Sequence, residues 1–277
     1  MRVEQIRFAG KVVRGIARVP GGQSFLNTLE RIPVTRSALE TVLAYQRPFK
    51  TLHEAEESMA RYRGGGHVDP TNMQHLLFMS QSARPSDYAA LFHLQQILPR
   101  IRRIFDLGGN VGNLYYCYAK YLSDMKDISW VVMDLPENIA RGRELAEERG
   151  ARQLSFTDKW EDADGCDLLI ASGCLHYFER PLSKMLEELE KRPNYILINR
   201  TPLTEGAPVA TVQDNGAYRT ACVLHNLQEL KGGLQEIGYE IDDQWRAAEL
   251  SLEIPAHPEH RISSYSGMFM HHRVQPQ

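Results

Sequence analysis

The chain has 277 residues, 43% hydrophobic and 24% charged, with a formal net charge of −3. That describes a globular chain with room for one large domain and an extension, and it argues against a nucleic-acid partner held through phosphates. No apolar run reaches the roughly 20 residues of a membrane helix, and the four cysteines (Cys117, Cys166, Cys174, Cys222) form no Cys-x-x-Cys pair. No stable membrane insertion and no metal site are therefore expected, and free thiols suit a cytoplasmic location.

In chain order, residues 1–20 mix basic and apolar side chains and predict an amphipathic helix packed on the main domain. Thr51, with Glu54 three residues on, predicts a capped helix start. Gly64–Gly66 and His67 read as a loop, and Asp69-Pro70 opens a helix through Met73, Leu76 and Met79. Arg84-Pro85-Ser86-Asp87 caps a helix carrying Leu91, Leu94 and Leu98. Residues 1–100 are thus expected to form a helical cap, a lid or a surface for homodimer formation.

From residue 101 to 277 strands and helices alternate. Strands are expected at 103–107, 128–134, 153–156, 166–172, 195–199, 239–245 and 266–271. Helices are expected at 113–121, 138–149, 182–191 and 224–237. This alternation predicts an α/β fold, a Rossmann-like sheet with helices on both faces.

Asp106-Leu107-Gly108-Gly109-Asn110-Val111-Gly112 follows the first strand and opens a helix. Glycines there allow a sharp turn and close approach of a ligand, and Asn110 tolerates left-handed geometry. The spacing lacks both the Gly-x-Gly-x-x-Gly of dinucleotide sites and the Lys-Ser/Thr of a P-loop. A carboxylate at Asp106 repels pyrophosphate but attracts an ammonium group. Asp134, with Leu135 beside it, ends the second strand, where an acid can accept two ribose hydroxyls or cap a helix. Asp158 follows the third strand and suits an adenine amino group, with Phe156 or Trp160 against the ring; a surface turn is the alternative. The fourth strand runs into Ser172-Gly173-Cys174-Leu175-His176-Tyr177-Phe178. His176 is a candidate general base. Tyr177 and Ser172 are candidate partners in catalysis, and Ser172 and Gly173 also fall where a cofactor would lie.

Together these residues resemble class I S-adenosylmethionine (SAM)-dependent methyltransferases over about residues 103–272. Asp134-Leu135-Pro136 is similar to the Asp-Leu-Pro of plant-type small-molecule O-methyltransferases, and Thr157-Asp158-Lys159-Trp160 loosely to their Gly-Asp-Met-Phe. Asp167 and His176 keep the nine-residue interval to that family's base. The resemblance implies SAM as cofactor, held by Asp106, Gly108, Gly109, Gly112, Asp134, Leu135, Asp158, Ser172 and Gly173, and a small-molecule substrate. Two departures bear on the base: Tyr177 stands where the family has an acid, and Asn199-Arg200-Thr201 replace the acid ending the fifth strand. Arg200 is expected at the surface, paired with a Glu; alternatively Arg200, or loop residues near His67 and Tyr218, hold an acidic acceptor.

The whole chain, including Met79 to Tyr88, is similar to a bacterial group of methyltransferases associated with polysaccharide and secondary-metabolite clusters, among them azetidine-2-carboxylate synthases. The resemblance therefore implies methyl transfer to an O or N acceptor. Its alternative is cyclisation of SAM with release of methylthioadenosine. Cyclisation would require a closed aromatic pocket, for which Tyr88, Tyr115, Tyr116, Tyr177 and Phe178 are candidate walls. A SAM-binding partner without catalysis is the reading from a different class.

Overall fold

The computed structural model describes residues 19–43, 45–59, 82–122, 125–214, 219–254 and 257–273, with six further positions between 9 and 16. The expected Gly64–His67 loop, the helix from Asp69 to Met79, the Ser80-Gln81 stretch and Tyr218 lie outside the described residues. No described helix is long and apolar enough to cross a membrane.

Among the described residues, the first helices with defined bounds are α1 (Gly22–Glu30), α2 (Pro33–Leu43) and α3 (Leu52–Met59). Thr51 Oγ1 accepts from the Glu54 N–H at 3.1 Å, meeting a donor the helix leaves orphaned, and the Glu54 carboxylate reaches back to accept from the Lys50 N–H at 3.0 Å, which fixes the entry to the helix. Helix α4 (Pro85–Ile97) starts as its sequence signals, with proline in the first turn and Asp87 Oδ2 accepting from the Arg84 N–H at 2.9 Å.

Next come β1 (Arg103–Leu107), α5 (Asn113–Tyr118), β2 (Ser129–Met133), α6 (Pro136–Glu148), β3 (Leu154–Thr157), β4 (Leu168–Ser172), α7 (Leu182–Leu186) and β5 (Tyr195–Thr201). They are followed by β6 (Leu203–Thr204), β7 (Val209–Asp214), β8 (Arg219–Asn226), α8 (Leu227–Glu236), β9 (Tyr239–Ala247) and β10 (Tyr265–His272). The main sheet has seven strands in the order β3-β2-β1-β4-β5-β10-β9. The first five are parallel, and β10 runs antiparallel to both its neighbours. The chain winds outward from β1 through β2 to β3, then returns to place β4 on the other side of β1. This is a Rossmann-like doubly wound arrangement, with its switch point between β1 and β4.

Both faces are covered, so the central strands are nearly continuous apolar runs. Ile104, Trp130, Val132, Leu197 and Phe269 pack toward α4 and α5. Phe105, Leu169, Ile196, Ile198 and Met268 pack toward α7 and α8. Each fully buried aliphatic side chain contributes about 1.5–3 kcal/mol relative to exposure.

A second sheet, in the order β6-β8-β7, was not among the expected elements. Residues 224–226, expected to begin a helix, end β8 instead; the helix starts at Leu227 because the Asn226 side chain accepts from both the Gln228 and Glu229 N–H groups. Helix α7 is also shorter than expected, five residues ending at Leu186. Tyr45 and Phe49 pair with Gln213 and Ala210, so the segment between α2 and α3 runs along β7.

Candidate ligand site at the sheet switch point

The turn after β1 and the segment after β4 lie side by side at the carboxyl edge, where open α/β sheets hold ligands. Gly108 (φ 67°) and Gly112 (φ 89°) are left-handed, and so is Asn110 at φ 57°. A side chain at Gly108 would meet the Cys174 Cβ at 2.4 Å, and one at Gly109 would meet Asp106 Oδ2 at 2.4 Å. The glycines therefore bring the turn down onto the β4 segment and the Asp106 carboxyl.

Asp106 is fully buried. It shares a sheet face with Trp130 because β1 and β2 run parallel, with Ile104 opposite Trp130 and Asp106 opposite Val132. The indole Nε1 donates to Asp106 Oδ2 at 3.1 Å. Oδ1 has no hydrogen-bond partner among the described residues. Burial pushes this carboxyl up to about 7; the Trp130 bond opposes that, the Asp134 charge adds to it, and Arg200 lowers it.

Asp134 ties the turn to β2. Its Oδ2 accepts from the Asn110 N–H at 2.8 Å, and its Oδ1 from the Leu135 N–H at 2.8 Å and Asn138 Nδ2 at 2.6 Å. A carboxylate offers about four acceptor positions, so one remains rather than the two a paired-hydroxyl clamp needs. Leu135 beside it is 46% exposed. Asp158 is exposed. Neither aromatic proposed to flank an adenine is free to do so as placed. Phe156 is buried under α6, close enough to Gly142 that a Cβ there would lie 2.3 Å from its ring. The Trp160 indole donates to the Met185 carbonyl at 3.0 Å and packs edge-on against Phe105.

At the end of β4, the Ser172 hydroxyl accepts from Arg200 Nη2 at 2.9 Å, and Gly173 is left-handed (φ 74°). His176 is buried, its ring centroid 4.0 Å from that of Tyr177. The Tyr177 hydroxyl donates to Gln213 Oε1 of β7 at 2.6 Å. Thus Tyr177 is held by the small sheet. Tyr88 is 57% exposed, edge-on to Tyr121 on the outer face of α4, so among the described residues it walls no closed pocket there. Tyr115 sits edge-on to both Tyr116 and Trp130 near the turn.

Arg200 is not at the surface, as the sequence suggested. It is buried at the end of β5 with φ 52°, and its Nη1 lies 3.0 Å from the Asp87 carboxylate. Asp87 also accepts from the Tyr118 hydroxyl at 2.8 Å and from Asn199 Nδ2 at 3.3 Å, while Asn199 Oδ1 accepts from Trp245 Nε1 at 3.0 Å. This polar network links α4, α5, β5 and β9 beneath the candidate site. Sequence reasoning took Asp87 as a helix cap and assigned no part to Asn199 or Trp245 here; the partners lie 31 or more residues apart, and no local pattern joins them.

Burial disfavours a thiolate at each of the four cysteines. Burial pushes Cys166 and Cys222 up to about 12 and raises Cys174 well above its ordinary value.

No family model matches the chain, and no curated protein matches it. Among solved structures it is similar to Burkholderia thailandensis 1,6-didemethyltoxoflavin-N1-methyltransferase, a structure with bound 1,6-didemethyltoxoflavin and S-adenosylhomocysteine. Identity is 16%, the alignment covers 83% of this chain and 93% of that one, and the TM-score is 0.49. The PH0226 protein of Pyrococcus horikoshii OT3 aligns at 9% identity over 78% of this chain and 98% of that one, with a TM-score of 0.48. A SAM dependent methyltransferase from Aquifex aeolicus aligns at 16% identity over 73% of this chain and 97% of that one, with a TM-score of 0.42.

Proposed function

We propose that this chain binds SAM at the β1/β4 switch point and catalyses methyl transfer to an oxygen or nitrogen of a small-molecule acceptor. The observation that carries the reading is Asp106: a fully buried carboxyl at the end of β1, under a glycine turn, with Oδ1 lacking a donor among the described residues. Buried acceptors without partners are rare, and this one suits the ammonium of a methionine moiety, not a phosphate. The resemblance of the Asp106–Gly112 and Asp134-Leu135-Pro136 motifs to class I methyltransferases supports the same ligand.

SAM supplies an electrophilic methyl group on its sulfonium. The protein's own contribution is placement. Asp106 holds the ammonium end, and Gly108, Gly109 and Gly112 let the backbone approach. Asp134 offers its remaining acceptor position to one ribose hydroxyl, beside exposed Leu135, and Asp158 reaches the adenine edge from the surface. Ser172 and Gly173 line the β4 side of the crevice, with Ser172 oriented by Arg200. His176 takes the acceptor's proton and Tyr177, fixed by Gln213, orients the imidazole from the ring side. We assign the helical region of residues 1–100 as the cap over this edge.

The test is incubation of purified protein with SAM alone and then with an acceptor panel, with products read by mass spectrometry. Stable SAM that gives S-adenosylhomocysteine only when an acceptor is added supports the proposal. Rapid methylthioadenosine with a cyclic amino acid from SAM alone would replace methyl transfer by cyclisation. No binding of SAM or S-adenosylhomocysteine by calorimetry would overturn the ligand itself.

A further inference from the structure

A cavity of about 370 Å³ opens where the turn between α1 and α2 meets the segment leading to Phe49. Its walls carry three guanidinium side chains, Arg31, Arg36 and Arg47, against one carboxylate, Glu30, and one imidazole, His257. Glu30 is already engaged: its Oε1 lies 3.6 Å from His257 Nε2. The other ring nitrogen of His257 lies 3.2 Å from Glu259 Oε1. Arg36 Nε donates to the Glu30 carbonyl at 2.7 Å, which aims its guanidinium. The Arg47 guanidinium lies 5.1 Å from the centre of the Phe49 ring. Among the described residues, none of the three arginines has a carboxylate within ion-pair distance.

Three fixed positive charges lining one cavity repel each other, and an anion there relieves that repulsion. Guanidinium groups offer paired donors that match phosphate oxygens, and a dianion answers the charge excess better than a single carboxylate. The volume is in the range of small-molecule sites, roughly 300–1,000 Å³, and exceeds what a lone ion fills. We propose that this pocket binds the phosphoryl group of a phosphate-bearing small molecule. The inference does not depend on the SAM reading, because none of its residues belongs to the switch-point site.

The pocket is linked to that site through β7. Arg47 lies between Tyr45 and Phe49, which pair with Gln213 and Ala210 of β7. Gln213 is the partner of Tyr177. Two residues of extended chain, about 7 Å, separate Arg47 from the pairing that holds Tyr177.

The experiment is calorimetric titration of the full chain with inorganic pyrophosphate and, separately, with citrate. The expected result is saturable pyrophosphate binding at one site, weakened roughly tenfold or more in an R31S/R47S double variant. Arg31 and Arg47 are exposed, so that variant should melt with the wild type. R31K/R47K keeps the charge but loses the paired donors, and should fall between the two. R141S removes a positive charge from α6, far along the chain and paired with Glu144, and should bind as wild type does. Absence of saturable binding up to about 10 mM, equal weakening by R141S, or tighter binding of citrate would each overturn the proposal. S-adenosylhomocysteine affinity, measured on the same samples, should be unchanged in R31S/R47S, which keeps this test separate from that of the switch-point site.

Discussion

At the scale of single residues, the chemistry concentrates on Asp106. Its carboxyl is raised to about 7, chiefly by burial, so the folded state keeps a proton that the unfolded chain loses near pH 4. A raised acid has a definite sign: stability is highest below the unfolded value and falls as pH rises toward 7. Asp106→Asn keeps the acceptor for Trp130 and removes the charge. Thermal melts from pH 4 to pH 8 should show a shallower decline for the variant, which should melt above the wild type at pH 8. The penalty removed is on the order of a few kcal/mol. Calorimetry should show that the same variant loses S-adenosylhomocysteine affinity by roughly tenfold or more, because an amide does not answer an ammonium as a carboxylate does. A wild-type pH slope in the variant would refute the assignment. Gly109→Ala tests the turn independently. Its Cβ would lie 2.4 Å from Asp106 Oδ2, so destabilisation of about 1–3 kcal/mol in urea melts is expected, with loss of binding. The left-handed Asn110 and the glycine pattern were legible in sequence, because φ preference belongs to the residue itself.

At the scale of elements, the Asp87–Arg200 pair joins the first turn of α4 to the end of β5. Both side chains are buried and 3.0 Å apart. Removing one partner strands a buried charge, so Arg200→Ala and Asp87→Ala should each cost about 3–5 kcal/mol. The double variant should cost less than their sum, which a double-mutant cycle in urea would measure. Additive losses would mean that the pair is not coupled. The start of α4 was legible because its proline and Asp87 act on neighbours within one turn. The start of α8 was misjudged for a related reason: Leu224, Leu227, Leu230 and Leu234 keep helical spacing, but the Asn226 cap sets the boundary and leaves Leu224 in β8. A capping side chain acts on specific N–H groups, whereas apolar spacing states only which face is buried.

For the molecule as a whole, the small sheet decides how the regions before and after residue 100 meet. Tyr45 and Phe49 run along β7, and the Tyr45 and Tyr265 hydroxyls lie 2.9 Å apart in a buried contact. Tyr177 then ties β7 to the segment after β4. Tyr177→Phe deletes that bond while leaving the main sheet intact. Global stability should fall by only about 1 kcal/mol, while hydrogen exchange quickens selectively in β7. Uniform quickening across the main sheet would show that the two sheets unfold as one unit. This second sheet left little trace in the sequence because β7 and β8 owe their order to pairing with each other and with residues 45–49, which lie more than 150 positions away.

What the sequence alone determined is what acts over a few residues. It contained the alternation that builds a parallel sheet, the glycine turn after β1, the acid ending β2, and the caps of α3 and α4. Each rests on local backbone preference or on a side chain reaching its own turn. Only the tertiary structure decided that Arg200 is buried against Asp87, that Trp130 donates to Asp106, that Asp134 is largely occupied by its own neighbours, and that three arginines line one cavity. Those outcomes depend on which distant positions the sheet order and helix packing bring within hydrogen-bond reach, and burial then sets the strength of each charge. No spacing along the chain encodes that proximity.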